Sequence, residues 1–196
     1  MIYIFGGGTI SFIRNHMALC APAFGTTARV LSKLMTSNLI LTKMADYNSD
    51  IVTNLDIENK IKTLLEDPQC TCIILNAALC DYDGKIGNVE SGSHAQRLET
   101  REGLSSIEIT PSKKIISIIK ESRPDILVIG FKTTTNANFD TMKYKSKRMN
   151  VDIVLANDTV TRKNIIFTSE NSISCENRED SMNKLVNEIS KLIPII

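Results

Sequence analysis

No apolar run in this sequence approaches the roughly 20 residues that a helix needs to span a bilayer, which argues against a membrane protein. Nor does either charge dominate: a formal net charge of +1 offers no general attraction to nucleic acid or to an anionic membrane surface. The five cysteines are odd in number, and Cys70 and Cys72 alternate along an expected strand instead of forming a CxxC knuckle. A disulfide framework and a zinc site are both disfavoured, and a reducing cytoplasm is the expected compartment. The GxGxxG spacing is missing, which counts against a dinucleotide-dependent oxidoreductase, although Asp46 or Asp50 follows the second expected strand, where a ribose contact would lie. Internal repeats and low-complexity linkers are absent too. Met1 to Phe5 is too short for a signal-peptide core, so the mature fold is expected to start at Met1.

What is present reads as one globular domain over residues 1–196, since 196 residues with 42% hydrophobic content can bury a sizeable core. The chain is organised around Asp125 to Asn136. Ile126 to Ile129 is an unbroken apolar run, which suits a strand covered on both faces of a parallel sheet, and it is expected to break at Gly130 into a polar segment. Three further stretches share that form: Ile2 to Thr9, Cys72 to Tyr82, and Val151 to Asp158. If the four strands are parallel, their polar ends lie on one edge, where ligands of open α/β sheets bind. Lys132 and its neighbours should then border a site.

Between these strands, Ile10 to Ala21 reads as a long connection, with Pro22 suiting the first turn of a helix that buries Phe24, Ala28, Leu31 and Met35. Leu39 to Leu41 is a second strand. Asp56 is placed to cap a helix with Ile57, Ile61 and Leu64 inward, and Asp180 to cap the last one. Helices are also expected over 112–122 and 139–149, and a C-terminal hairpin over 165–174.

Several residues carry two readings. Gly7 and Gly8 permit close approach of a phosphate to the main chain, or make a plain tight turn. Asp81 is a ligand-binding carboxylate, or a cap or salt-bridge partner. Gly84 to Gly103 has no apolar period and is the candidate flap; its tip carries His94, Arg97 and Arg101, of which the arginines are fork donors for an anion, or are solvated. Lys143, Lys145, Lys147 and Arg148 form a basic helical face that is solvated or, in part, turned towards the ligand.

The motifs GGGT, AALCDY, EITPSKKIISII, ILVIGFKTTTN and VDIVLAND, in that order and spacing, resemble the phosphopantothenoylcysteine synthetase family over nearly the whole chain. The resemblance implies a Rossmann-like three-layer αβα sandwich, mostly parallel, acting as a homodimer. It implies a nucleotide-dependent carboxylate–amine ligase that uses CTP or ATP with Mg2+ to activate 4′-phosphopantothenate as an acyl-nucleotide, which cysteine then captures. By position, Gly7, Gly8, Thr9, Ala78, Asp81, Phe131, Lys145 and Asn157 fall on the family's nucleotide site, with Asp81 also at the metal. Arg97 falls on the flap lysine, and Arg97 and Lys132 are the expected catalytic cations.

Departures from the pattern sit on the acyl side. Ala21 stands where the family has an asparagine, Arg97 replaces the lysine, and a threonine replaces the glutamate of GFxxET. The alternative is therefore a diverged nucleotide-binding protein, or a ligase acting on another acid. Its partners would be small molecules, with neither nucleic acid nor membrane.

Overall fold

Short runs rich in Ile, Val and Leu are too brief for helices and apolar on both faces, so they pair side by side and are covered above and below. The computed structural model describes residues 1–103 and 105–193. In chain order the elements are β1 (Ile2–Gly8), β2 (Ile10–Arg14), β3 (Met17–Cys20), α1 (Thr26–Leu34), β4 (Asn38–Leu41), α2 (Asn54–Leu65), β5 (Cys72–Ala78) and β6 (Tyr82–Lys85). A 3-10 turn (Thr100–Glu102) precedes β7 (Glu108–Pro111), α3 (Ile115–Ser122), β8 (Leu127–Thr134), α4 (Phe139–Lys147), β9 (Ile153–Asp158), β10 (Asn164–Phe167), β11 (Ser172–Cys175) and α5 (Arg178–Leu192).

Seven strands form one sheet in the order β11-β10-β9-β8-β5-β1-β4. β4, β1, β5, β8 and β9 are mutually parallel, and the β10–β11 hairpin closes one side antiparallel. One face packs Ile4, Ile74, Ile129 and Leu155 against Ala28 and Leu31 of α1 and Leu185 and Ile189 of α5. The other packs Phe5, Ile73 and Val128 against Ile57 and Ile61 of α2 and Ile119 of α3, and α4 covers Ala156 beside them through Met142. This is the three-layer αβα arrangement expected, and no helix among the described residues is long and apolar enough to cross a membrane.

Four local expectations change. Ile10 to Ala21 is not a simple connection: β2 and β3 pair as a hairpin, which packs through Ile13 and Leu19 against Gly84 of β6. The first helix starts at Thr26, after Gly25 in left-handed conformation (φ 72°), so Pro22 lies outside it and Phe24 is 69% exposed. β8 does not end at Gly130. It runs on to Thr134 because Thr133 and Thr134 pair with Asn157 and Asp158, and Gly130 serves instead to admit Met149, whose methyl would lie 2.6 Å from a Cβ there. Finally, Thr53 and Asn177 are the caps, with Asp56 and Asp180 one turn in; Asp56 completes a capping box by accepting the N–H of Thr53 at 2.8 Å.

Candidate active site

The chain leaves β1 for β4 on one side and later enters β5 on the other, so β1 and β5 flank the point at which the strand order reverses. In sheets of this order a crevice opens there, outside the carboxyl ends of the strands. The residues that meet at this point are small: Gly7 is paired with Ala77, and Gly8 with Ala78.

The glycines are required by packing. Gly7 has φ 101°, and a Cβ on it would lie 2.2 Å from the Thr42 hydroxyl; one on Gly8 would lie 2.0 Å from the carbonyl oxygen of Ala21. Segments 21–25 and 42–45 therefore lie directly on the turn. Thr9 is wholly buried and ties three elements together: its hydroxyl donates to Asn54 Oδ1 at 2.6 Å and accepts the N–H of Cys80 at 2.8 Å, while Asn54 Nδ2 donates to the Cys80 carbonyl at 2.7 Å. Thr9 thus supports the crevice from beneath.

At the end of β5 Ala78 is half-buried, and just beyond it Asp81 is exposed, its carboxylate 2.7 Å from the Lys114 ammonium. Both side chains of that pair are at least 70% exposed, so the pair contributes roughly 0–1 kcal/mol and yields readily to a stronger cation. No group of three or more His, Cys, Asp or Glu among the described residues is arranged to hold a metal ion. A Mg2+ brought on a triphosphate would draw most of its ligands from phosphate oxygens and would need from this chain no more than a single carboxylate such as Asp81.

At the β8–β9 end, Phe131 is half-buried against the α1–α5 face and Lys132 half-buried on the other face, beside Ala156. The Thr133 hydroxyl reaches Asn157 Oδ1 at 3.4 Å. Asp158 is buried and accepts the N–H groups of Asn136, Ala137, Val160 and Thr161 at 2.8–3.1 Å, with the hydroxyls of Thr134 and Thr161. Burial alone would raise this carboxyl, but those donors outweigh it and hold it well below the usual carboxylate range. Asp158 therefore shapes the β8 and β9 loops around Asn157. Its role escaped the sequence, where the only signal was an acid ending an apolar strand.

The remaining expected cations come from outside the strands. Lys145 is in the last turn of α4, which runs antiparallel to the strands it joins; at 1.5 Å per residue it stands about 9 Å along the helix from Phe139. Arg97 is exposed, on the connection between β6 and β7. The base of that connection is pinned, because the buried Arg14 donates to the carbonyl oxygen of Ile86 at 2.6 Å and the Asn15 N–H donates to that of Ala95 at 3.1 Å. Gly84 belongs to β6, so the irregular segment starts at Ile86. A buried arginine serving backbone carbonyls leaves no trace in sequence pattern, and Arg14 went unnoticed for that reason.

The sequence model of the DNA/pantothenate metabolism flavoprotein C-terminal domain matches residues 16–192, nearly the whole chain. The chain belongs to that family. Membership of the DNA/pantothenate metabolism flavoprotein C-terminal domain family agrees with the resemblance to phosphopantothenoylcysteine synthetases drawn from motif order. None of the curated proteins matches the sequence. Among solved structures, the DNA/pantothenate metabolism flavoprotein from Streptococcus pneumoniae superposes with a TM-score of 0.81 at 20% identity, covering 97% of this chain and 98% of that one. The C-terminal domain of the coenzyme A biosynthesis bifunctional protein CoaBC follows with TM-score 0.70 and 13% identity, over 98% and 94%. A Cab2 mutant in complex with phosphopantothenate-cysteine gives 0.64 and 13%, over 97% and 85%. At these identities the structural likeness is a likeness of fold, and the family is shown by the sequence match.

Proposed function

We propose that this chain is a nucleotide-dependent carboxylate–amine ligase, most simply joining 4′-phosphopantothenate to cysteine in coenzyme A biosynthesis. The observation that carries the reading is the meeting of Gly7, Gly8, Ala78, Phe131 and Asn157 on one sheet edge in a chain of this family. A carboxylate is a poor acylating agent, so it is first activated. A carboxylate oxygen attacks the α-phosphorus of CTP or ATP, an O–P bond forms, and pyrophosphate leaves with the electron pair. The amine nitrogen then attacks the acyl carbon, a C–N bond forms, and the nucleoside monophosphate departs with the electrons of the broken C–O bond. The two protons lost by the ammonium pass to solvent.

In this reading Gly7 and Gly8 act by letting segments 21–25 and 42–45 close onto the end of β1, and the half-buried Ala78 lets the nucleotide lie close to the backbone, above the support made by Thr9. Phe131 stacks the base and Asn157 bonds it or its ribose. Asp81 takes the magnesium that accompanies the triphosphate. Lys132, desolvated in part, and Lys145 neutralise phosphate charge, and Arg97 closes over the reacting phosphoryl group; catalysis then rests on positioning and charge neutralisation. A homodimer is proposed with it.

A second reading, a ligase for another acid or a nucleotide-binding protein without the ligase step, is favoured by Ala21. Its carbonyl lies against Gly8 at the end of β1, and its methyl offers no amide to an acyl group. Pyrophosphate release from CTP or ATP with Mg2+ and 4′-phosphopantothenate, with and without cysteine, separates the two. Release that depends on the acid, with phosphopantothenoylcysteine formed when cysteine is added and loss of both in Arg97→Ala, supports the ligase. Nucleotide binding with no release in that mixture favours the second reading.

A further inference from the structure

A cleft of about 490 Å3 opens on the α2–α3 side of the crevice, between β2, β6, the start of the flap and the first turns of α2 and α3. It adjoins the strand ends through two of its walls. Asn54 lines it and bonds to Thr9 and Cys80, and Ser112 lines it while its N–H donates to the Asp81 carbonyl at 2.8 Å. None of the nucleotide-site residues lines this cleft.

Its charged lining is small in number and of both signs: Glu58, Lys113 and Asp83. Glu58 is satisfied, with the ammonium groups of Lys62 and Lys113 at 2.8 and 2.9 Å. Asp83 is not neutralised. Its two oxygens take only the hydroxyls of Ser11 and Ser112, at 2.7 and 2.8 Å, and it makes no ion pair among the described residues. An exposed carboxylate held in place by two hydroxyls keeps free lone pairs for an ammonium. Lys113, with one of its three N–H donors on Glu58, keeps donors for a carboxylate.

We infer that this cleft binds the acyl acceptor as an α-amino acid zwitterion, the ammonium on Asp83 and the carboxylate on Lys113. The inference rests on the ligase reading for its chemistry, but the binding is testable without it. The amine would wait beside Asp81, on the side of the β1–β5 crevice away from Phe131.

The sequence has no tryptophan, and Leu55, 60% exposed, lines the cleft, so Leu55→Trp places a single reporter in its wall. Emission is titrated with L-cysteine, with 3-mercaptopropionate, which lacks the amine, and with cysteamine, which lacks the carboxylate. Saturable change is expected with cysteine, at least about tenfold weaker with either analogue, and about tenfold weaker for cysteine when Asp83→Asn is added. Lys113→Met, at an exposed position, should weaken cysteine while leaving cysteamine unaffected. No saturable change with cysteine, or equal response to cysteine and 3-mercaptopropionate, overturns the assignment.

In turnover, Asp83→Asn should raise KM for cysteine about tenfold with KM for nucleotide within about twofold, and Asp83→Glu should recover part of the loss. An unchanged KM for cysteine overturns the cleft and leaves the ligase standing. If the wild type releases no pyrophosphate, the ligase reading fails, and the fluorescence titration alone decides whether the cleft takes an amino acid.

Discussion

Thr9 donates a hydrogen bond of 2.6 Å to Asn54, 45 residues further along the chain, and the pair closes the base of the crevice between β1 and β5. Thr9→Val keeps the shape but removes the hydroxyl, leaving Asn54 Oδ1 and the Cys80 N–H with only their 3.2 Å contact. Buried polar groups robbed of a partner cost roughly 1–3 kcal/mol, so the urea midpoint should fall accordingly, while Thr9→Ser stays near the wild type. An unchanged midpoint in Thr9→Val would show the bond to be dispensable.

Two glycines separate packing from flexibility. Gly8→Ala forces a methyl to within 2.0 Å of the Ala21 carbonyl oxygen, a backbone atom that cannot swing aside, whereas Gly92→Ala meets nothing within 4 Å. Overpacking of this kind costs about 1–3 kcal/mol, against less than about 0.5 kcal/mol at the open site. Thermal melts should rank the two that way, and nucleotide affinity should drop only in Gly8→Ala.

Asp158 gives the protein an acid-side weakness. Its carboxyl is held below the ordinary value in the folded state, so its contribution is complete above the unfolded value of about 3.9 and is lost as pH falls below that towards the folded one. Asp158→Asn should therefore destabilise the protein most at neutral pH, with the gap to the wild type narrowing below about pH 4. Urea titrations at pH 7 and pH 3 check this; a gap equal at both would mean that the charge is immaterial.

Arg14 anchors the start of the β6–β7 connection at Ile86 from 72 residues away. Arg14→Met keeps much of the bulk but leaves that carbonyl without its donor. Limited trypsinolysis should then cut at Arg97 or Arg101 several times faster than in the wild type, with global stability reduced less than local protection. Equal cleavage rates would count against the anchor.

Ile2 to Gly8, Cys72 to Ala78 and Ile153 to Asp158 were legible as buried parallel strands because apolar runs ending in small or polar residues are a local property, and β10–β11 was legible as two short runs about the polar loop 169–171. The same local pattern misjudged Gly130, since whether a strand continues through a glycine depends on the partner strand, here β9, and on the Met149 side chain. It also gave Pro22 and Phe24 to a helix that Gly25 delays. Thr9, Asp81, Phe131 and Asn157 could be placed on one edge from order alone, but not Lys145, whose distance along α4 follows from the direction of that helix.

The division follows from the range of the interactions. By itself the sequence determined the αβα class, the carboxyl edge as the candidate place for a site, and the family, because each rests on patterns a few residues long repeated in a set order. The tertiary structure alone decided that Thr9 is a buried rivet, that Arg14 pins the β6–β7 connection, that Asp158 shapes the Asn157 loop, and that Asp83 faces a cleft with Lys113. Each of these depends on hydrogen bonds or a cavity shared by segments distant in sequence, and no local periodicity encodes which of many polar residues will meet across a folded core.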